Sequence, residues 1–288
     1  MAARDIVVIG ASAGGLGALR RLVAPLPDNL PAALFVVLHS GTIHRGELAL
    51  LVEGAGRLRA RLAQDGDSIV NGRILIAPAD CHMRLERERV RIIFGPRENH
   101  ARPAIDPLFR SAAFAFGPRV IGIILSGMLD DGCSGLQQIH KRGGVVLVQV
   151  VAADHGRPVD RIGARLPQLV AQTVPEEAPM APRDPEPEVI GVRCPACEGP
   201  ISVIKVGESL NFHCVAGHRY GPEAMRESHL RRMEDTLWSA VASLREHASL
   251  LRKMASGSPS RAALYVTDAD LKEQHAAQLE GLIEKFVR

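Results

Sequence analysis

The chain has 288 residues, enough for one large domain and a smaller one, and 46% of them are hydrophobic, so disorder is excluded as the default. A formal net charge of +3 and an aromatic content of 3% give neither a basic footprint nor a stacking platform for nucleic acid. No apolar stretch reaches the length of a membrane-spanning helix, and the run Ile6–Ile9 is too short for a signal peptide's apolar region, so a cytoplasmic protein without membrane insertion is expected.

Short β-branched runs recur at Ile6–Ile9, Leu34–Leu38, Ile74–Ala77, Val90–Phe94, Val120–Leu125 and Val145–Val150. Several are apolar at consecutive positions, as strands buried on both faces of a sheet must be. Helical patterns fall between them at Leu16–Ala24, Asp106–Ala115 and Ser134–Lys141. This alternation predicts an α/β fold with a doubly wound, mostly parallel, Rossmann-like sheet. Arg84–Phe94, dense in charge and alternating, reads better as an arm of an antiparallel hairpin.

Five prolines between Pro175 and Pro187 mark a stiff, solvated linker. The expected organisation is an α/β domain over 1–172, a proline-rich linker over 173–189, a small metal-binding ribbon over 190–221 and a helical region over 222–288. In the last, Leu230, Leu237, Leu244 and Leu251 repeat every seven residues, with Met233, Val241 and Ala248 on the same face. A second periodic stretch, Leu271, Leu279, Leu282, Ile283 and Phe286, follows a break at Ser256–Pro259. Two readings stay open: a helical hairpin packed on itself, or a coiled coil that forms a homodimer or binds a partner.

Functional groups of a parallel sheet collect in the loops leaving the carboxyl ends of its strands. Ser12 stands there, in Gly10-Ala11-Ser12-Ala13-Gly14-Gly15, between a strand and a helix whose N-terminus favours a developing anion. The loop is no dinucleotide fingerprint, because Ser12 occupies the second glycine position, and it lacks the Gly-Lys-Ser/Thr of a phosphate loop. A serine in such a place can also simply cap the helix. His39, however, follows Leu34–Leu38 at the same sheet edge, and Asp131 follows Val120–Leu125 in Ser126-Gly127-Met128-Leu129-Asp130-Asp131-Gly132. A nucleophile, a base and an orienting carboxylate thus each leave a different strand, as a catalytic triad requires.

The segments Val8–Gly15, Val37–His39, Arg102–Ala113 and Ser126–Gly132, in this order, resemble the motifs of the CheB-type protein-glutamate methylesterases. The resemblance implies Ser12 as nucleophile, His39 as general base and Asp131 as its orienter, with the backbone N–H of Met128 helping to stabilise the oxyanion. It implies hydrolysis of glutamyl methyl esters, or deamidation of glutamines, on a protein such as a chemoreceptor or another signalling protein. Asp130 corresponds to a variable position. The sequence departs from the pattern at Ala13, at Ser40-Gly41 after His39 and at Ala153–Pro158, and the expectation is an enzyme without the receiver domain that precedes the catalytic motifs in chemotaxis members of the family.

Cys194-Pro195-Ala196-Cys197 and Cys214-Val215-Ala216-Gly217-His218 form two short-spaced ligand pairs across a hairpin-length loop. In a reducing compartment this spacing suits tetrahedral zinc on Cys194, Cys197, Cys214 and His218. With all four positions filled the ion, one per chain, is expected to be structural. His213, beside Cys214, is awkwardly placed for the same ion. Zinc-ribbon tails followed by a helix with a Leu-Trp pair, here Leu237-Trp238, resemble the appendage of some CheB-like proteins that lack a receiver. Cys133 reads as a small buried residue and Cys81-His82 as a chance adjacency. Two functions compete: a carboxylic-ester hydrolase, and a signalling adaptor that keeps the fold and binds partners through its ribbon and helices.

Overall fold

A computed structural model describes residues 2–12, 15–39, 47–126, 130–148, 157–174, 186–206 and 209–287. In chain order the elements are β1 (Ala2–Ala3), β2 (Ile6–Ala11), α1 (Gly15–Val23), β3 (Ala33–Leu38), α2 (Glu47–Glu53), β4 (Arg59–Leu62), β5 (Arg73–Ile76), β6 (His82–Leu85) and β7 (Val90–Ile93). There follow α3 (Ile105–Phe116), β8 (Val120–Ser126), α4 (Cys133–Lys141), β9 (Val145–Val148), α5 (Arg157–Val170) and β10 (Thr173–Val174). The last are β11 (Glu188–Arg193), β12 (Pro200–Val206), β13 (Ser209–Cys214), β14 (Arg219–Tyr220), α6 (Pro222–Gly257) and α7 (Ala262–Val287).

Six strands form a parallel sheet in the order β4-β5-β3-β2-β8-β9. Side chains alternate across a strand, so each central strand feeds two cores. Val7 and Ile9 of β2 pack with Leu34, Val36, Ile121 and Ile123 beneath Leu19 and Leu22 of α1 and Leu166 of α5. Ile6 and Val8 face the other way, with Phe35, Val37, Phe109 of α3 and Ile139 of α4. The chain leaves β2 towards β3 on one side, while β8 pairs on the other. The crevice at this switch of direction is where ligands of doubly wound sheets collect.

Val90–Phe94 does not join the main sheet: β7 pairs antiparallel with β6, in the arm that the alternation of Arg84–Phe94 suggests. Strand β4, not foreseen, occupies the sheet's edge, where Arg59 and Arg61 remain exposed and dilute the apolar signal. Strands β11 to β14 make a separate antiparallel sheet in sequence order, closed over Cys194, Ile201, Cys214, Tyr220, Ala224 and Met225.

By contact the chain forms two units, Met1–Met225 and Arg226–Arg288, and the antiparallel sheet belongs to the first, with the parallel one. In the second unit α6 and α7 run antiparallel, Val241 packing with Ala276 and Ile283, and Ala248 and Leu251 with Ala269. Arg245 bonds Glu280 at 2.8 Å, and Arg252 bonds Asp270 and Glu273 at 3.1 Å each. Most of the heptad face is therefore covered by α7, although Leu230 and Met233 remain exposed.

Helices α3 and α4 pack tightly at Gly135, where a Cβ would stand 2.3 Å from Cβ of Phe109 and 3.1 Å from Asp106 Oδ1. Gly135→Ala should therefore force the helices apart and lower stability by about 1–3 kcal/mol, the usual cost of overpacking. Thermal melts of the variant check this, and an unchanged midpoint would contradict the close packing.

Candidate active site and metal centre

Ser12 is the first residue beyond β2 and is buried. Its N–H donates to both the carbonyl and the Oγ of Ser126, each at 3.1 Å, and its carbonyl accepts the N–H of Gly15 at 2.8 Å. The turn into α1 closes only over glycine: a Cβ on Gly15 would lie 2.5 Å from that of Ala11 and 2.7 Å from Ser126 Oγ. His39 directly follows β3 and is tied to the same edge by its N–H, which donates to the carbonyl of Ala11 at 3.0 Å. The structure thus brings Ser12 and His39 to the carboxyl ends of two neighbouring strands. Met128 lies outside the described residues.

Asp131 lies in the loop leaving β8 and is buried. Helix α3 starts after Ala104 with no capping side chain of its own, which leaves its first amides without partners. Asp131 supplies them from 26 residues away: Oδ2 accepts the N–H of Ile105 at 2.7 Å and Oδ1 that of Asp106 at 3.2 Å. His39 Nε2 stands 3.2 Å from the same Oδ2, near enough for an ion pair but not aligned for a hydrogen bond. Catalytic hydrogen bonds are commonly loose without substrate and tighten when it binds.

A second buried carboxylate, Asp106, was not singled out from the sequence. It accepts the N–H of Gly135 at 2.7 Å and faces the Arg110 guanidinium at 3.8 Å. Burial pushes its carboxyl up to about 7, with Arg110 opposing and the nearby Asp131 adding to the rise. Between the two carboxyls sits the amide of Asn99, whose Nδ2 donates to Asp106 at 3.1 Å and to Asp131 at 3.3 Å.

Asn99 also escaped sequence reasoning, although its residue type offers a signal. It occupies a left-handed turn position at φ 48°, a conformation asparagine tolerates better than most residues. Its Oδ1 accepts the N–H of Gly221 at 2.8 Å, and its own N–H donates to the carbonyl of Arg219 at 2.8 Å. Next to Asp131, Asp130 caps the start of α6, its Oδ2 accepting the N–H groups of Glu223 at 2.6 Å and Ala224 at 3.4 Å. The sequence clue is again a helix start, Gly221-Pro222, with no capping side chain.

The antiparallel sheet gathers Cys194, Cys197, Cys214 and His218, whose candidate ligand atoms all lie within 4.8 Å of one another. Cys197 and Cys214 are 3.7 Å apart at Sγ, and His218 Nδ1 stands 3.3 Å from Cys214 Sγ and 3.7 Å from Cys194 Sγ. A tetrahedral ion with metal–sulfur bonds of about 2.3 Å requires S···S separations near 3.8 Å, so the donor set fits zinc. Each half is a tight turn, with Glu198 at φ 62° and Gly217 at φ 92°. His213 is not part of the group.

The other reactive-looking residues have different roles. His82 is buried and occupied at both ring nitrogens: Nδ1 accepts the N–H of Ala104 at 3.2 Å, which leaves Nε2–H to donate to Pro96 O at 2.8 Å. It is therefore no base for Cys81. Cys133, expected to be buried, is instead an exposed residue at the start of α4. Partial burial of its thiol and the carboxylates of Asp106, Asp130 and Asp131 still push its pKa up to about 11, which makes it a poor nucleophile.

Comparison with known proteins bears on the region that holds this geometry. The CheB methylesterase family model matches residues 7–156. The protein-glutamate methylesterase/protein-glutamine glutaminase 2 of Methanosarcina acetivorans is 38% identical over 179 residues, 59% of this chain and 50% of that protein. The corresponding enzyme 4 of Anaeromyxobacter dehalogenans is 35% identical over 188 residues, 58% of this chain and 52% of its own length. That of Yersinia pestis is 36% identical over 153 residues, 52% of this chain and 44% of its own length. The chain spans about half the length of the curated relatives it matches. The catalytic domain of Thermotoga maritima CheB methylesterase superposes with a TM-score of 0.52 at 28% identity, covering 58% of this chain and 98% of that domain. With the family model spanning more than half of its length, the chain belongs to the CheB methylesterase family.

Proposed function

We propose that the chain is a serine hydrolase that cleaves glutamyl methyl esters, or deamidates glutamines, on a signalling protein such as a chemoreceptor. The observation that carries this reading is the approach of His39 to Asp131, 3.2 Å apart at the edge of β2 and β3 where Ser12 stands. Ser12 Oγ attacks the side-chain acyl carbon while His39 takes its proton. With Nε2 turned to Asp131, Nδ1 is the nitrogen left for that proton. Asp131 holds the ring and balances the imidazolium that forms, and the backbone amides of Ile105 and Asp106 keep its carboxylate in place. His39 then returns the proton to the departing methoxide or amine, so methanol or ammonia leaves, and water cleaves the acyl-enzyme by the same route. The oxyanion is assigned to the N–H of Met128 and the positive end of α1.

Cys194, Cys197, Cys214 and His218 are proposed to hold one structural zinc per chain. Zinc would cross-link a sheet too small to bury much apolar surface by itself. The exposed part of the heptad face on α6 is a candidate for homodimer contacts.

Ser12→Ala should abolish labelling by a fluorophosphonate probe and ester turnover with little change in melting temperature. His39→Gln and Asp131→Asn should each lower kcat by orders of magnitude, about 10⁴-fold for the Asp131 variant in other triads. Asp131→Asn should also cost about 1–3 kcal/mol of stability, because its amide would meet an α3 N–H donor to donor. Turnover retained in Ser12→Ala would end the hydrolase assignment.

Asp106 generates a pH dependence of known sign. Its carboxyl ionises near the ordinary value of about 3.9 when unfolded but holds its proton to about 7 when folded. Raising the pH through that interval therefore favours the unfolded state, and the associated stability is lost by about 7. The drop in melting temperature between roughly pH 5 and pH 8 should be smaller in Asp106→Asn than in the parent. Equal drops would mean that Asp106 does not carry a raised pKa.

Metal removal should reach the active site. Gly221 and Glu223 follow the ligand His218 closely and bond Asn99 and Asp130. Metal analysis should find one zinc per chain, and its removal by chelator, or Cys194→Ser with Cys197→Ser, should lower kcat as well as the stability of the antiparallel sheet. Full turnover in zinc-free protein would show that these contacts are dispensable.

A further inference from the structure

Between the parallel-sheet fold and the antiparallel sheet lies a cavity of about 390 Å³, within the size range of small-molecule sites. None of Ser12, His39 and Asp131 lines it. One wall comes from the β6–β7 arm, α3 and the loop between them, with Arg84, Arg110 and Glu98, and the other from β13 and β14, with Asn211 and Arg219. Three guanidinium groups thus face one carboxylate, and that one is already taken, since Arg110 bonds Glu98 at 2.5 Å.

Arg219 and Asn211 present donors to this cavity that have no protein partner among the described residues. Among the described residues, Arg219 has no carboxylate within ion-pair distance and no hydrogen-bond acceptor for its guanidinium; it is largely buried, Arg110 and Arg84 oppose its charge, and Glu98, already bonded to Arg110, offsets them only in part. The main chain holds it there: β14 pairs His213 with Arg219, and the Arg219 carbonyl accepts the N–H of Asn99. Asn211 is 9% exposed, and its Nδ2 is buried with no hydrogen-bond partner. Buried donors are normally paired, and an unpaired one calls for a ligand or water. Beside these groups the lining turns apolar, with Ile93, Phe114 and Ile204.

We propose that this cavity is a binding site for a small organic anion, separate from the triad. Its phosphate or carboxylate group sits between Arg84, Arg219 and Asn211, and its apolar body lies along Ile93, Phe114 and Ile204. Guanidinium groups recognise both oxyanions by paired, charge-assisted hydrogen bonds. Neither cleavage chemistry nor the identity of a substrate enters this assignment.

Calorimetric titration of the zinc-loaded full chain at constant ionic strength tests it, using phenyl phosphate, benzoate and uncharged benzyl alcohol as probes. Saturable binding of phenyl phosphate or benzoate, with none of benzyl alcohol, is expected, and the tighter anion identifies the natural head group. Arg219→Gln and Arg84→Gln should each weaken that binding at least tenfold. Arg84 is exposed, so its variant folds and carries the test should Arg219→Gln fail to. The proposal is overturned if neither anion saturates, if benzyl alcohol binds as well as they do, or if Arg84→Gln binds like the parent.

Discussion

A carboxylate can be buried in a protein only where hydrogen-bond donors replace the water it gives up. Asp131 meets that condition with the first two amides of α3 and the amide of Asn99. Each bond also solves a problem elsewhere. Helix α3 has no local cap and obtains one, and the loop leaving β8 is fixed against the helix on its far side. His39 finds a carboxylate whose position is set before any substrate arrives. Preorganisation of this kind is what the proposed general base would need from its partner.

The close packing around Asp131 follows from the same requirement. Gly132, at φ 97°, has no room for a side chain: a Cβ there would lie 2.5 Å from Ile124 and 3.0 Å from Ile105. Gly10 is held as tightly, its would-be Cβ falling 2.6 Å from Ile105. Ile105 is thus the plug between β2, β8 and the start of α3, and it positions the amide that Asp131 accepts. Packing and polar satisfaction here are one constraint.

The central strands and the three candidate triad residues were legible in the sequence for a physical reason. Buried parallel strands are apolar at every position, so Ile6–Ile9, Leu34–Leu38 and Val120–Leu125 stand out, and polar residues in the loops that leave their carboxyl ends are conspicuous. The parts of the site that were missed are defined by partners instead. Asn99 and Gly221 are 122 residues apart, and Asp130 and Glu223 are 93 apart. No local pattern announces such pairs. The weak signs were negative: two helices, at Ala104-Ile105 and Gly221-Pro222, begin without a capping side chain, so the cap must come from elsewhere. Edge strand β4 was hidden because one face of it meets water and carries arginine.

The proline-rich stretch suggested a spacer, and a spacer suggests independent modules. The contacts argue otherwise for the antiparallel sheet. Asp130 and Asp131 are neighbours in one turn; the first caps α6 and the second caps α3. Asn99 touches both carboxyls of the buried pair and Gly221 at once. Anything that shifts the start of α6 must therefore move the turn that holds Asp131 or break its hydrogen bonds, and a buried acceptor left unmatched costs about 1–3 kcal/mol. Energies of that size alter a catalytic rate by about fivefold to a hundredfold. The proposed metal would fix His218 and with it the few residues that lead to Gly221, which makes the ligand turn a structural support of the proposed triad even though it contributes no group to the chemistry.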